Sequence, residues 1–161
     1  MNLTLTQKER SLLEDQRSHE QICIKKYNNY ANQTQCPELK QMFQTYAQQE
    51  QRHLDTINQM LNGQVPSMQQ NQQQSQQQQQ GQQQQGQQQQ QGAGLINSSD
   101  ADLCNDILMT EKYVSNTYDT AVFEFVDTNA RQALNHIQKE EQQHGEAIFK
   151  YMETKGLYQP Q

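Results

Sequence analysis

Four segments of the chain place apolar side chains at helical spacing. The first puts Leu13, Cys23 or Ile24, Tyr27 and Ala31 on one face. The second uses Leu39, Met42 or Phe43, Tyr46, Ile57 and Met60. The third uses Leu103, Ile107, Val114, Tyr118, Val122 and Phe125, and the fourth Ala130, Leu134, Ile137, Ile148 and Tyr151. Each stripe is interrupted near its middle by a carboxylate: Glu20, Glu50, Glu111 and Glu141. In the second and fourth, His53 and His144 follow three residues later. No segment alternates with period two, so the pattern predicts helices and no sheet.

Local signals bound these helices. Thr6-Gln-Lys-Glu9 reads as a capping box, and the first helix runs to about Gln33. Pro37 suits the first turn of the second helix, which runs to Asn62 and stops at Gly63. Ser99-Asp-Ala-Asp102 opens a third helix that runs to about Val126. Asp127-Thr128-Asn129 caps a fourth, which ends near Lys155-Gly156. The short loops within each pair predict two antiparallel hairpins, over residues 1–63 and 98–161. Tyr30, Tyr46, Phe123, Phe149 and Met152 read as packing residues.

Between the hairpins lies a segment of different character. The 161 residues include 37 Gln, and 19 of these fall in the 23-residue stretch 69–91. That stretch has no charge and no apolar side chain, so it cannot bury surface to offset its ordering entropy. Residues 64–97 are therefore expected to be a disordered linker. Setting them aside leaves 127 residues, 46 of them apolar, enough for one small core but not two. A flexible coil of this length spans ~30–35 Å, and a 25-residue helix is roughly 37 Å long. The linker can thus cross the whole length of a bundle. The predicted fold is all-α, a ferritin-like four-helix bundle with one long crossover. A simple up-down bundle would not need that length.

Charge and cysteine exclude some classes. The net charge is −6, and residues 98–161 carry all of the excess, with eleven acidic and five basic side chains. No basic stripe marks a nucleic-acid or anionic-membrane surface. No apolar run is long enough to span a membrane, and no secretory signal is visible, so neither membrane insertion nor export is expected. Cys23, Cys36 and Cys104 form no CxxC pair. They read either as reduced thiols or as sites of cross-linking between chains.

The two hairpins match each other at an offset of 91 residues. Nine of fifty pairs are identical without a gap. They include Glu20/Glu111, Glu50/Glu141 and His53/His144, besides Asp15/Asp106 and Tyr27/Tyr118. One Glu from each of two helices, with Glu-x-x-His from each of the other two, is the ligand set of a dinuclear carboxylate centre. Glu and His at i and i+3 share a helix face. Four carboxylates and two imidazoles suit two divalent ions, such as manganese or iron, whose charges cancel the four negative ones. The candidate ligands are Glu20, Glu50, His53, Glu111, Glu141 and His144. A bundle that keeps these residues as a hydrogen-bonded cluster is the competing reading. Tyr27 and Tyr118 read as core packing, with hydroxyls near the centre as the alternative. Asp15 and Asp106 could orient a ligand or simply face solvent. His19 and His136 lie off the stripes.

Several stretches resemble the spore coat protein F family. They are Leu12-Leu-Glu-Asp-Gln-Arg-Ser-His-Glu-Gln, Lys25-Lys-Tyr27 and Gln48-Gln-Glu-Gln-Arg-His53 in the first hairpin. In the second they are Asp106-Ile-Leu-Met-Thr-Glu-Lys-Tyr113, Tyr118-Asp-Thr-Ala121, Glu140-Glu-Gln-Gln-His144 and Lys155-Gly-Leu-Tyr158 with Pro160. The resemblance implies a ferritin-like protein made in the mother-cell cytoplasm of an endospore former and deposited on the spore. It implies a structural or assembly role in the coat, with other coat proteins or further copies of this chain as partners, and no established catalysis. The ligand pattern itself is similar to that of manganese catalases and rubrerythrins. The alternative function is therefore a dinuclear manganese or iron oxidoreductase acting on peroxide. The Gln tract reads as an adhesive segment, a cross-linking substrate or an inert spacer.

Overall fold

A computed structural model describes residues 2–65, 94–95 and 97–158. Four helices make up the fold: α1 (Gln7–Gln33), α2 (Pro37–Leu61), α3 (Asp100–Glu124) and α4 (Thr128–Thr154). No strand occurs among the described residues. The caps explain the boundaries. The Thr6 side chain accepts from the Glu9 amide while Glu9 accepts from the Thr6 amide, and Ser99 and Asp102 form the same box at α3. Pro37 stands at the start of α2, and the Asp127 side chain caps α4. Gly63 (φ 78°) and Gly156 (φ 69°) follow α2 and α4 in the left-handed region, where a side chain would be strained.

Contacts at the helix ends fix the topology. The Leu3 amide donates to the Gly63 carbonyl at 2.7 Å, so α1 starts where α2 ends. Lys8 pairs with Glu124 at 2.6 Å, and the Val126 amide donates to Glu9 at 2.9 Å, so α3 ends at that same end. At the opposite end, the Leu95 amide donates to the Tyr30 hydroxyl at 2.8 Å. Lys155 pairs with Glu38 there at 2.8 Å. Helices α2 and α3 therefore run in the same direction. The chain between Val65 and Gly94 joins opposite ends of the bundle, which is the single long crossover of a ferritin-like topology. The expected disorder of 64–97 falls mostly on residues outside those described.

The core is divided in two. Leu13, Ile57, Met60, Tyr118, Phe125 and Leu134 belong to one buried cluster. Tyr27, Tyr30, Phe43, Leu103, Ile107 and Met152 belong to the other. The interrupted stripes account for the division: along α2, α3 and α4 the carboxylate falls between the residues of one cluster and those of the other, and on α1 only Cys23 follows Glu20 before the second cluster begins at Tyr27. Cys23 takes the inward position on α1, and Ile24 is only half-buried. Phe123 departs from its expected packing role and is 82% exposed, because Ala121 and Phe125 occupy the inward positions on either side of it. Among the described residues, no helix is long and apolar enough to cross a membrane.

Candidate metal centre

The structure brings all six candidate residues together in the layer between the two apolar clusters. Glu20, Glu50 and Glu141 are fully buried, and Glu111, His53 and His144 nearly so. Two groups of side chains converge so that one ligand atom from each lies within 4.8 Å of all the others. The first is Glu20, Glu50, His53 and Glu141; the second is Glu50, Glu111, Glu141 and His144. Glu50 and Glu141 belong to both. Each group could hold a metal ion. The arrangement follows from the sequence: Glu and His three apart on α2 and on α4 point inward together, and one Glu comes from each of α1 and α3.

Both histidines turn Nδ1 toward the carboxylates. Nδ1 of His53 lies 3.1 Å from Glu141, 3.4 Å from Glu50 and 3.6 Å from Glu20. Nδ1 of His144 lies 3.0 Å from Glu50, 3.6 Å from Glu111 and 3.7 Å from Glu141. The outward nitrogens have their own partners. Nε2 of His53 is 2.8 Å from Glu140, and Nε2 of His144 is 2.7 Å from the Gln49 amide oxygen. An amide oxygen only accepts, so His144 carries a proton on Nε2. In the neutral imidazole the lone pair on Nδ1 then faces the acids. Outer partners that hold the tautomer in this way orient histidines toward a metal.

The polar layer is under-satisfied. Glu20 Oε2, both oxygens of Glu50, Glu111 Oε2, Glu141 Oε2 and His144 Nδ1 are buried without a hydrogen-bond partner. Burial and the charges of Glu141 and Glu50 push the Glu20 carboxyl well up. Burial and Glu141 do the same to Glu111. Burial also opposes charge on Glu50 and Glu141, but the histidines beside them hold both low. Burial likewise disfavours charge on His53 and His144, but the surrounding carboxylates hold both well above the usual histidine range. Acceptors facing acceptors in a buried site need protons or cations between them. The donor set fits divalent cations, with hard oxygens and borderline nitrogens around two adjoining positions.

Two tyrosines complete the layer, and here the packing expectation falls short. Tyr27 on α1 donates its hydroxyl to Glu111 on α3, and Tyr118 on α3 donates to Glu20 on α1. Each tyrosine belongs to a different apolar cluster, so the layer is closed from both sides. The Tyr46 ring stacks on His144 with centroids 4.2 Å apart. Asp15 is exposed, and Asp106 is engaged by Lys26 at 2.8 Å and by Tyr30 at 2.6 Å, so neither orients a ligand. His136 sits 3.6 Å from Glu140, one step behind His53. Cys23 is buried near the acids, and burial together with their charge pushes its thiol well up, which disfavours the thiolate a metal requires.

Sequence reading missed Gln49 and Glu140. Each immediately precedes a shared glutamate, and the two stand 91 residues apart, like the candidate ligands themselves.

Among curated proteins, none matches the chain. Residues 99–161, which hold the whole of α3 and α4, match the family model described as the Coat F domain. The second hairpin, with its Glu111 and Glu-x-x-His, thus matches a Coat F domain, which supports the resemblance of the chain to the spore coat protein F family.

Proposed function

We propose that the protein is a structural component of the endospore coat whose bundle holds two divalent metal ions. The Coat F domain match over residues 99–161 supports the coat role. The observation that carries the metal reading is the pair of Glu/His groups sharing Glu50 and Glu141. In this reading Glu20 and His53 would hold one ion and Glu111 and His144 the other, with Glu50 and Glu141, which belong to both groups, available to both. Two divalent cations, when bound, supply the charge that four buried carboxylates lack. The protein's own part is to aim the ligands. Glu140 and Gln49 fix the imidazoles, and Tyr27 and Tyr118 fix the terminal glutamates. All four helices contribute a ligand, so the ions tie the two hairpins into one bundle. Manganese and iron are the metals this ligand set suits.

The partners in this role are other coat proteins or further copies of the chain. The coat role is tested by fractionating spores: the protein should co-purify with the coat layer and resist mild extraction. Recovery only from soluble vegetative cells would contradict it. The alternative, a dinuclear oxidoreductase acting on peroxide, would use the same six ligands. Oxygen release on adding hydrogen peroxide to the manganese- or iron-loaded chain separates the two.

A further inference from the structure

The two hairpins are alike in their ligands and unlike in what covers them. A cavity of about 450 Å³ lies against the α3–α4 face and reaches Glu111 and Glu141. Ser115, Gln138 and Gly145 line it, with Asp119 among its outer residues. Ninety-one positions earlier, these three are Ile24, Ala47 and Leu54. The polar or missing side chains of one hairpin are thus apolar side chains in the other, and Leu54 is buried where Gly145 leaves a gap. The exposures agree: Glu111 keeps 3% of its surface, while Glu20, its counterpart, keeps none.

Gly145 needs explaining on its own terms. It sits inside α4, where glycine is unfavourable relative to alanine. Its backbone is ordinary helix, without a positive φ. A Cβ would meet Leu108 Cδ1 at 3.6 Å and Glu111 Cβ at 4.0 Å, which are normal contacts. Neither conformation nor space close to the backbone demands a glycine. What it provides is the absence of a longer side chain above Glu111. Glu111 and Glu141 both line the cavity, and each keeps one buried oxygen, Oε2, without a hydrogen-bond partner.

We infer that this cavity is the port through which a hydrated divalent cation reaches the buried centre, with Glu111 the first ligand it meets. The inference rests on the metal reading above. A six-water shell occupies roughly 180 Å³ at about 30 Å³ per water, so a hydrated ion fits. The Ser115 and Gln138 side chains offer neutral oxygens along the way, and the charges of Asp119 and Lys112 in the lining offset each other, so the buried carboxylates below supply the attraction.

The test follows uptake of Mn²⁺ by metal-free full-length chain, sampled by rapid desalting and elemental analysis. Gly145→Leu, which copies Leu54, should slow loading at least tenfold and leave the final metal content unchanged. Gly145→Ala should load like the wild type, since it adds only the Cβ that the space accepts. Ser115→Ile, which copies Ile24, should slow loading from the opposite wall and serves if Gly145→Leu fails to fold. Wild-type loading rates in both Gly145→Leu and Ser115→Ile would overturn the port while leaving the metal centre standing. A wild-type chain that takes up no Mn²⁺ would overturn both.

Discussion

The Glu140 carboxylate lies 2.8 Å from Nε2 of His53, at the place where the other half of the centre sets the neutral Gln49 amide behind His144. The two histidines are therefore alike in position and unlike in support. A carboxylate partner makes an imidazole a stronger donor to a cation than an amide does. The position served by His53 should bind its ion more tightly. Glu140→Gln makes the two supports equal and should weaken one of the two ions by ~10–100-fold, leaving the other unchanged. Calorimetric titration of the metal-free chain with Mn²⁺ reads both affinities. An unchanged isotherm would show that the support does not matter.

The crossed tyrosines make a prediction about stability. Tyr27→Phe removes the hydrogen bond that Glu111 Oε1 accepts from the opposite hairpin, and Tyr118→Phe does the same for Glu20 Oε1. Each leaves a buried carboxylate with one acceptor fewer satisfied. Each should cost about 1–3 kcal/mol in urea unfolding of the metal-free protein. A loss near zero for both would mean that the hydroxyls are incidental to packing.

The pH dependence has a definite sign. In the metal-free protein Glu20 and Glu111 are pushed up by burial and by neighbouring acids. A raised group binds its proton more tightly folded than unfolded, so its contribution is full below the ordinary carboxyl value of about 4.3 and is lost as pH rises. The raised histidines, held up by carboxylates against the effect of burial, add the same trend above about 6.5. Glu50 and Glu141 are held low, so their stabilisation is lost only in acid. Metal-free protein should therefore lose stability between about pH 5.5 and about pH 8.5. Metal binding requires deprotonated ligands, so added Mn²⁺ should stabilise most at the alkaline end. Urea midpoints at both pH values, with and without Mn²⁺, check this. A metal-free midpoint that rises with pH would contradict it.

The helix at the start of the chain allows a local test away from the centre. Glu9 closes the capping box and also accepts from the Val126 amide, bridging α1 to the end of α3. Burial opposes its charge, but these backbone hydrogen bonds hold its carboxyl below the usual range. Glu9→Ala should cost about 0.5–2 kcal/mol, in line with loss of a helix cap. The difference from wild type should shrink as pH falls below about 4.3, because the unfolded chain binds its proton there while the folded carboxyl, held lower, still resists it. A pH-independent difference would assign the effect to packing.

Much of this was legible before any coordinates. The helix limits followed from Thr6, Pro37, Ser99, Asp127 and the glycines after α2 and α4, because caps act through neighbouring backbone. The six candidate ligands stood out because each is an ionisable residue on an otherwise apolar stripe. Gln49 and Glu140 did not, since each lies about 100° around its helix from the adjacent glutamate and reads as solvent-facing. Their matched positions were visible, but they differ chemically and fall outside the identical pairs. The tyrosine hydroxyls were legible only as an alternative to packing, because whether a buried tyrosine reaches an acid depends on the spacing between helices. Gly145 was visible as a glycine within a helix, but only the packing of α3 against α4 reveals the opening above Glu111.

Glu50 and Glu141, which belong to both groups, would hold both divalent ions inside the bundle. Elemental analysis of protein purified without chelators, after growth with manganese and iron, tests this most directly. The expected result is two ions per chain, and loss of both in Glu50→Ala and in Glu141→Ala, since each residue belongs to both groups. A fully helical wild-type protein that contains no metal and takes up none on reconstitution would contradict it.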